Sequence, residues 1–137
     1  MNSDMPDLHT REDVEALLRS FYGRAFDDEL LAEPFADVCS RGLEEHLPVM
    51  CDFWETVLFR AGLYHRNALH AHRRVHHQTP LAAEHFARWL TLWKSAVDQM
   101  YQGPVAEHAK IQAARIATAT HRRLTGTDAP ELVYQCS

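Results

Sequence analysis

Apolar residues recur along this chain in steps of three and four, and that period divides it into four long segments joined by polar or broken stretches. In the first, Val14, Leu17, Leu18, Phe21, Tyr22 and Ala25 share one helical face. Thr10, with Asp13 three residues on, gives a capping-box-like start. The helix is expected to stop near Asp27-Asp28, because Glu33-Pro34 disfavours helical geometry before the chain resumes at Phe35. A connecting corner with Phe35 on its inner side is predicted there. The second segment runs through Leu43, His46, Leu47, Met50, Trp54, Val57 and Leu58, with Phe53 on its flank and Gly62 as its stop.

Thr79-Pro80 reads as an N-cap followed by proline at the first helical position, and Phe86, Trp89, Leu90, Trp93, Val97 and Met100 then mark a third amphipathic helix. Gly103-Pro104 ends it and opens the fourth, which carries Val105, Ala109, Ala113, Ile116, Ala117, Thr120 and Leu124 on one face before Gly126 offers a left-handed cap. Between Tyr64 and Gln78 the periodicity dissolves into polar, histidine-rich sequence with room for one short helix around Ala68 to Arg74. No internal repeat and no strand-type alternation occurs. The expectation is an all-α single domain over residues 1–137, with a flexible N-terminus through residue 9 and a loosely held tail over 127–137.

A length of 137 residues with 46% hydrophobic content suits one core and is too short to divide comfortably into two. The net charge of -5 leaves no large basic surface, and neither Arg73-Arg74 nor Arg122-Arg123 makes a nucleic-acid track. Cys39, Cys51 and Cys136 form no C-x-x-C pair and read as reduced thiols. The first ten residues lack an apolar run and no later stretch is long and apolar enough to span a bilayer, so a cytoplasmic protein without a membrane span is expected. The departure from ordinary composition lies in ten histidines, five of them between His65 and His77.

Tyr22, His46, Trp89 and Trp93 are polar or aromatic groups on otherwise apolar faces of three helices. By spacing alone Tyr22 and Trp89 read first as large core residues, and His46 equally as a hydrogen-bonded core histidine. His72 alone reads first as a surface histidine in a loop. Taken together, however, these residues describe a pocket with greasy walls, a few hydrogen-bond donors and a nitrogen ligand, which is what haem requires. His72 and His76, at i and i+4, also permit a zinc site. No nearby Cys or carboxylate completes a tetrahedral set for it, and Arg73 and Arg74 would repel a dication.

A series of motifs in one order strengthens the haem reading: Phe21-Tyr22, the corner Leu30-Leu31-Ala32-Glu33-Pro34-Phe35, the run from His46 to Trp54, Tyr64 followed by His72, then His85-Phe86-Ala87-Arg88-Trp89-Leu90 and Tyr101-Gln102-Gly103. With these the chain, from about Val14 to Leu124, resembles the truncated haemoglobins, and within them the group III branch, which lacks the paired-glycine motifs of the other branches. The resemblance implies a truncated globin-like 2-over-2 helical sandwich, two antiparallel pairs around a non-covalently held haem b. It implies that His72 is the iron's proximal ligand, His70 pointing to a different face of any helical turn. Tyr22 becomes the distal tyrosine, His46 the distal histidine, Trp89 the distal tryptophan, and Phe35 the phenylalanine on the porphyrin edge.

The proposed pocket walls are Phe21, Met50, Phe53, Leu69, Phe86 and Trp93, with Arg73, Tyr64 and His76 facing the haem propionates. Bound dioxygen carries partial negative charge on its outer atom, and each donor aimed at it in a dry pocket stabilises it by ~1 to 3 kcal/mol. The expected function is therefore binding or transport of dioxygen, nitric oxide or related small ligands. Two alternatives stand beside it. One is haem redox catalysis, oxidising nitric oxide or reducing peroxide with a reductase as partner; the other is a haem-free helical protein with zinc at the histidine cluster.

Overall fold

A computed structural model describes residues 5–59 and 81–125. Among the described residues there are five helices and no strand: α1 (Arg11–Asp27), α2 (Ala36–Arg41), α3 (Leu43–Phe59), α4 (Ala83–Met100) and α5 (Pro104–Thr125). None of these helices is long and apolar enough to cross a membrane.

The start of α1 follows the sequence closely. Thr10 is its N-cap, the Asp13 N–H donates to the Thr10 hydroxyl, and the Asp13 carboxylate accepts from the Thr10 N–H, so two end groups are satisfied reciprocally. The corner after Asp28 is more ordered than a simple connection. Asp28 accepts from the N–H groups of Leu30 and Leu31, a turn closes over Glu33-Pro34, and the six-residue α2 follows, which periodicity is too short to reveal.

The third long helix begins at Ala83 rather than at the expected Thr79-Pro80. Its N-cap is Ala82, which has no side-chain acceptor; His85 Nδ1 instead reaches back to accept from the Ala82 N–H at 2.9 Å. The Gly62, Thr79-Pro80 and Gly126 signals, and the short helix expected around Ala68 to Arg74, lie outside the described residues.

Two antiparallel pairs make the body. Arg11 pairs with Asp52 and Glu55 while Arg19 pairs with Glu44, so α1 and α3 run in opposite directions. Across the other pair, Trp93 reaches Ala109 near its middle and Phe86 reaches His121 near its far end, so α4 folds back along α5 after the tight turn at Tyr101 to Gly103. The pairs are joined mainly through α1 against α4. Leu17, Leu18, Phe21, Leu47, Trp54, Leu90, Trp93, Val97 and a row of alanines from α5 (Ala106, Ala109, Ala113) fill the core between them. Small residues on α5 let its backbone approach α4 closely enough for the Trp93 indole N–H to donate to the Ala109 carbonyl at 3.2 Å.

Within its described part, residues 5–9, the N-terminal segment packs on the core and bonds to the start of α5. Leu8 is fully buried, Gln102 donates to the Pro6 carbonyl, and the Asp7 carboxylate accepts from the N–H groups of Val105 and Ala106 at the start of α5. Gly103 makes this closure possible. Its φ of 145° is open to glycine, and a Cβ there would stand 2.5 Å from the Asp7 carboxyl carbon.

Candidate functional site

The faces of α1, α3 and α4 that meet near the corner bring three of the sequence-selected residues to one neighbourhood. Tyr22 stands on α1, one position after Phe21, and its ring is enclosed by Phe21, Phe26 and Phe35 at centroid distances of 5.2, 5.8 and 5.8 Å. Its hydroxyl and His46 Nε2 share a hydrogen bond of 2.9 Å from α1 to α3. The two rings meet edge to face, 5.4 Å apart. Trp89, on α4, enters from the other side, edge-on to Phe21 at 5.8 Å and parallel to Trp93 at 6.1 Å.

Burial fixes the protonation of this pair. Tyr22 is only 4% exposed, and desolvation, with the nearby Cys51 adding to it, pushes its phenol far above the ordinary range. Its O–H therefore stays a donor at any biological pH. His46 is half-buried, and burial pushes its imidazole below the usual histidine value, so it is held neutral near pH 7. A neutral imidazole has one ring nitrogen as acceptor and one as donor, so His46 can accept a hydrogen bond from the Tyr22 hydroxyl or donate one to it, according to its tautomer. Trp89, also half-buried, contributes an indole N–H that has no hydrogen-bond partner among the described residues.

The remaining candidates fall into distinct places. Phe35, Met50 and Phe53 are half-buried and pack on the main core, Phe35 edge-on to Phe21 at 6.1 Å. Phe86 lies in a smaller cluster with Leu81 and Ala117 and meets His121 edge-on at 5.5 Å. Trp93 is 1% exposed, stacked on Trp54 at 4.4 Å and spending its N–H on Ala109, so it backs Trp89 from inside the core. His72, His70, Tyr64, Leu69, Arg73 and His76 lie outside the described residues. Two neighbours escaped the sequence reading. Phe26 follows Tyr22 by one helical turn, a spacing that could have marked it, and it also lines an open cleft of about 310 Å³ with Ala32, Ala36, Cys39 and Ser40. Cys51, buried beneath α1, is simply another small apolar residue in the α3 stripe.

This helical arrangement has a counterpart among solved structures. The crystal structure of group III truncated haemoglobin from Campylobacter jejuni matches it with a TM-score of 0.76, covering 85% of this chain and 92% of that one at 22% sequence identity. The fold is that of a truncated haemoglobin. No family model and no curated protein matches the sequence. Within the truncated-globin fold, the Tyr22–His46 pair and Trp89 sit where α1, α3 and α4 converge, and the segment bearing His72 joins α3 to α4.

Proposed function

We propose that this chain is a group III-like truncated haemoglobin that binds haem b and, on it, dioxygen, nitric oxide or a related diatomic ligand. The observation that carries the reading is the buried Tyr22 hydroxyl, enclosed by Phe21, Phe26 and Phe35 and bonded to a half-buried neutral histidine, in a chain with the truncated-globin fold. A fully apolar interior would be served by phenylalanine at position 22. A buried phenol and a half-buried imidazole, joined by the indole N–H of Trp89, which has no hydrogen-bond partner among the described residues, form a donor set suited to a small polar ligand held in a dry site.

The residues fit the group. Phe21, Phe35, Met50, Phe53 and Phe86 offer apolar contact for a porphyrin, and Trp93 braces Trp89 from behind. From the sequence, His72 supplies the iron ligand, Leu69 a further wall, and Arg73, Tyr64 and His76 the propionate partners. When bound, haem would supply an iron able to take a diatomic ligand. Tyr22, His46 and Trp89 orient that ligand, donate to it and exclude water; the cytoplasm is the proposed location.

A second reading, oxidation of nitric oxide or reduction of peroxide with a reductase as partner, draws on the same pair. An imidazole kept neutral beside a phenol that stays protonated can take up a proton at a ring nitrogen of His46 while Tyr22 Oη donates a hydrogen bond. Rapid consumption of nitric oxide by the loaded protein under air supports turnover, whereas slow consumption with slow gas release supports binding.

The deciding experiment is purification and absorption spectroscopy. The chain is expected to be coloured, with an intense porphyrin band that His72→Ala loses and His70→Ala retains. A colourless chain that refuses added haemin defeats the proposal, and zinc found by metal analysis in such a chain would move the assignment to the histidine cluster.

A further inference from the structure

The turn of α3 that carries His46 lies between two backbone joints. Before it, Gly42 has a φ of 97°, a left-handed conformation that side chains other than glycine's rarely adopt. After it, Pro48 stands inside the helix without an N–H, so the Glu44 carbonyl loses the donor that would couple this turn to the next. Beyond Pro48 the helix is fixed to α1, because Arg11 donates to Asp52, to Glu55 and to the Pro48 carbonyl itself. Leu47 is buried in the core and marks the fixed side, whereas Glu44 and Glu45 are exposed.

One polar clamp spans the loose side. The Arg19 guanidinium donates through two nitrogens to both oxygens of Glu44, at 2.6 and 2.8 Å, and Glu15 holds its third nitrogen at 3.0 Å. Arg19 lies three residues before Tyr22, so neighbouring turns of α1 supply the clamp and the hydrogen-bond partner of His46. A paired fork of this kind fixes orientation as well as distance, which a lysine cannot do.

We infer that Arg19 and Glu44 are positioning residues for His46: their ion pair latches the Gly42-to-Pro48 turn against α1 and thereby holds the imidazole on Tyr22. Exposed ion pairs shift an equilibrium by no more than about fivefold, too little to hold a fold together but enough to bias the opening of a single hinged turn. The latch follows from α1 and α3 alone; its consequence, control of gas entry past His46, rests on the haem reading above.

Hydrogen exchange and imidazole nitrogen resonances of the full chain test it, and neither requires haem. In Arg19→Ala and in Glu44→Gln, exchange at residues 43–46 is expected to rise about two- to fivefold, and the His46 Nε2 resonance to move toward that of an unbonded nitrogen. The double variant is expected to go no further than either single one, and Arg19→Lys to fall between. Glu15→Gln, which leaves the fork intact, should change neither signal. Salt at about 1 M should loosen the turn in the native chain and not in the variants. Exchange and resonance unchanged in both single variants, or effects that add in the double, overturn the latch. In the haem-loaded protein the same variants should speed carbon monoxide association by the same factor, and a rate that stays put while the turn loosens overturns the control of entry. A chain that takes up no haem sinks the preceding proposal while the latch is still judged by exchange.

Discussion

Tyr22 and His46, twenty-four positions apart in sequence, close α1 onto α3 through a 2.9 Å hydrogen bond between the phenol oxygen and Nε2. Its removal by Tyr22→Phe should leave the half-buried imidazole without that partner and lower stability by about 1 kcal/mol in a denaturant titration. In the haem-loaded protein the same substitution is expected to speed dioxygen release about tenfold, the loss of a buried donor to a charged acceptor. Ligand-displacement kinetics provide the check, and an unchanged rate removes Tyr22 from the ligand-facing set.

Acid should weaken the fold partly through His46. Burial holds its folded pKa below the ordinary value, while in the unfolded chain it titrates at about 6.5. Between those two values the unfolded chain binds the proton and the folded chain does not, so stability falls as pH falls through that window. His46→Gln keeps a partner for Tyr22 but cannot titrate, and its melting temperature should fall less steeply than that of the native chain from about pH 7.5 to about pH 5. Parallel curves for the two proteins would falsify this attribution.

How much of this arrangement the sequence discloses depends on the length scale of each signal. The stripe from Val14 to Ala25 and the Thr10-Asp13 start predict α1 closely, because amphipathic period and capping are local properties. The six residues of α2 are invisible to the same method, being less than two turns long. Thr79-Pro80 misplaces the start of α4 because the end group there is satisfied by a histidine reaching backward, a solution that no preference for Ser, Thr or Asp encodes. At the site, Tyr22, His46 and Trp89 stand out as polar or amphipathic groups on apolar faces. That Tyr22 meets His46 depends on the antiparallel register of α1 and α3, which lies in tertiary packing and not in either stripe.

Trp93→Ala should be among the costliest single changes in the core. The ring is enclosed by Trp54 and Trp89 and its N–H is spent on Ala109, so truncation opens a cavity and removes a hydrogen bond between α4 and α5, with an expected loss of about 3 to 5 kcal/mol. Urea unfolding followed by circular dichroism measures it. A loss below about 1 kcal/mol would mean that the three-ring stack adds little to the core.

The Asp7 closure gives a separate pH signature. Burial raises the Asp7 pKa, but N–H donors from Val105, Ala106 and Leu8, with the His9 charge, outweigh that and leave it lowered. The stability it contributes is present above the unfolded value of about 3.9 and is lost as pH falls through the lower folded value. Asp7→Ala should cost about 1 kcal/mol at neutral pH, as for a lost helix cap, and less once the native carboxylate is protonated. Gly103→Ala should destabilise as well, through both its backbone conformation and the approach of Asp7. Chemical denaturation of both variants at two pH values tests the pair; a pH-independent loss in Asp7→Ala removes the carboxylate from the account.

Trp54, Trp93 and Trp89 stand in one file, 4.4 and 6.1 Å apart, and they are the chain's full complement of three tryptophans. Tryptophan emission from this protein therefore originates at a single spot, with Trp89 at the end that touches Phe21, the neighbour of Tyr22. A chromophore arriving beside Trp89 would darken the whole file by energy transfer, so the native chain carries its own optical gauge of loading and needs no label.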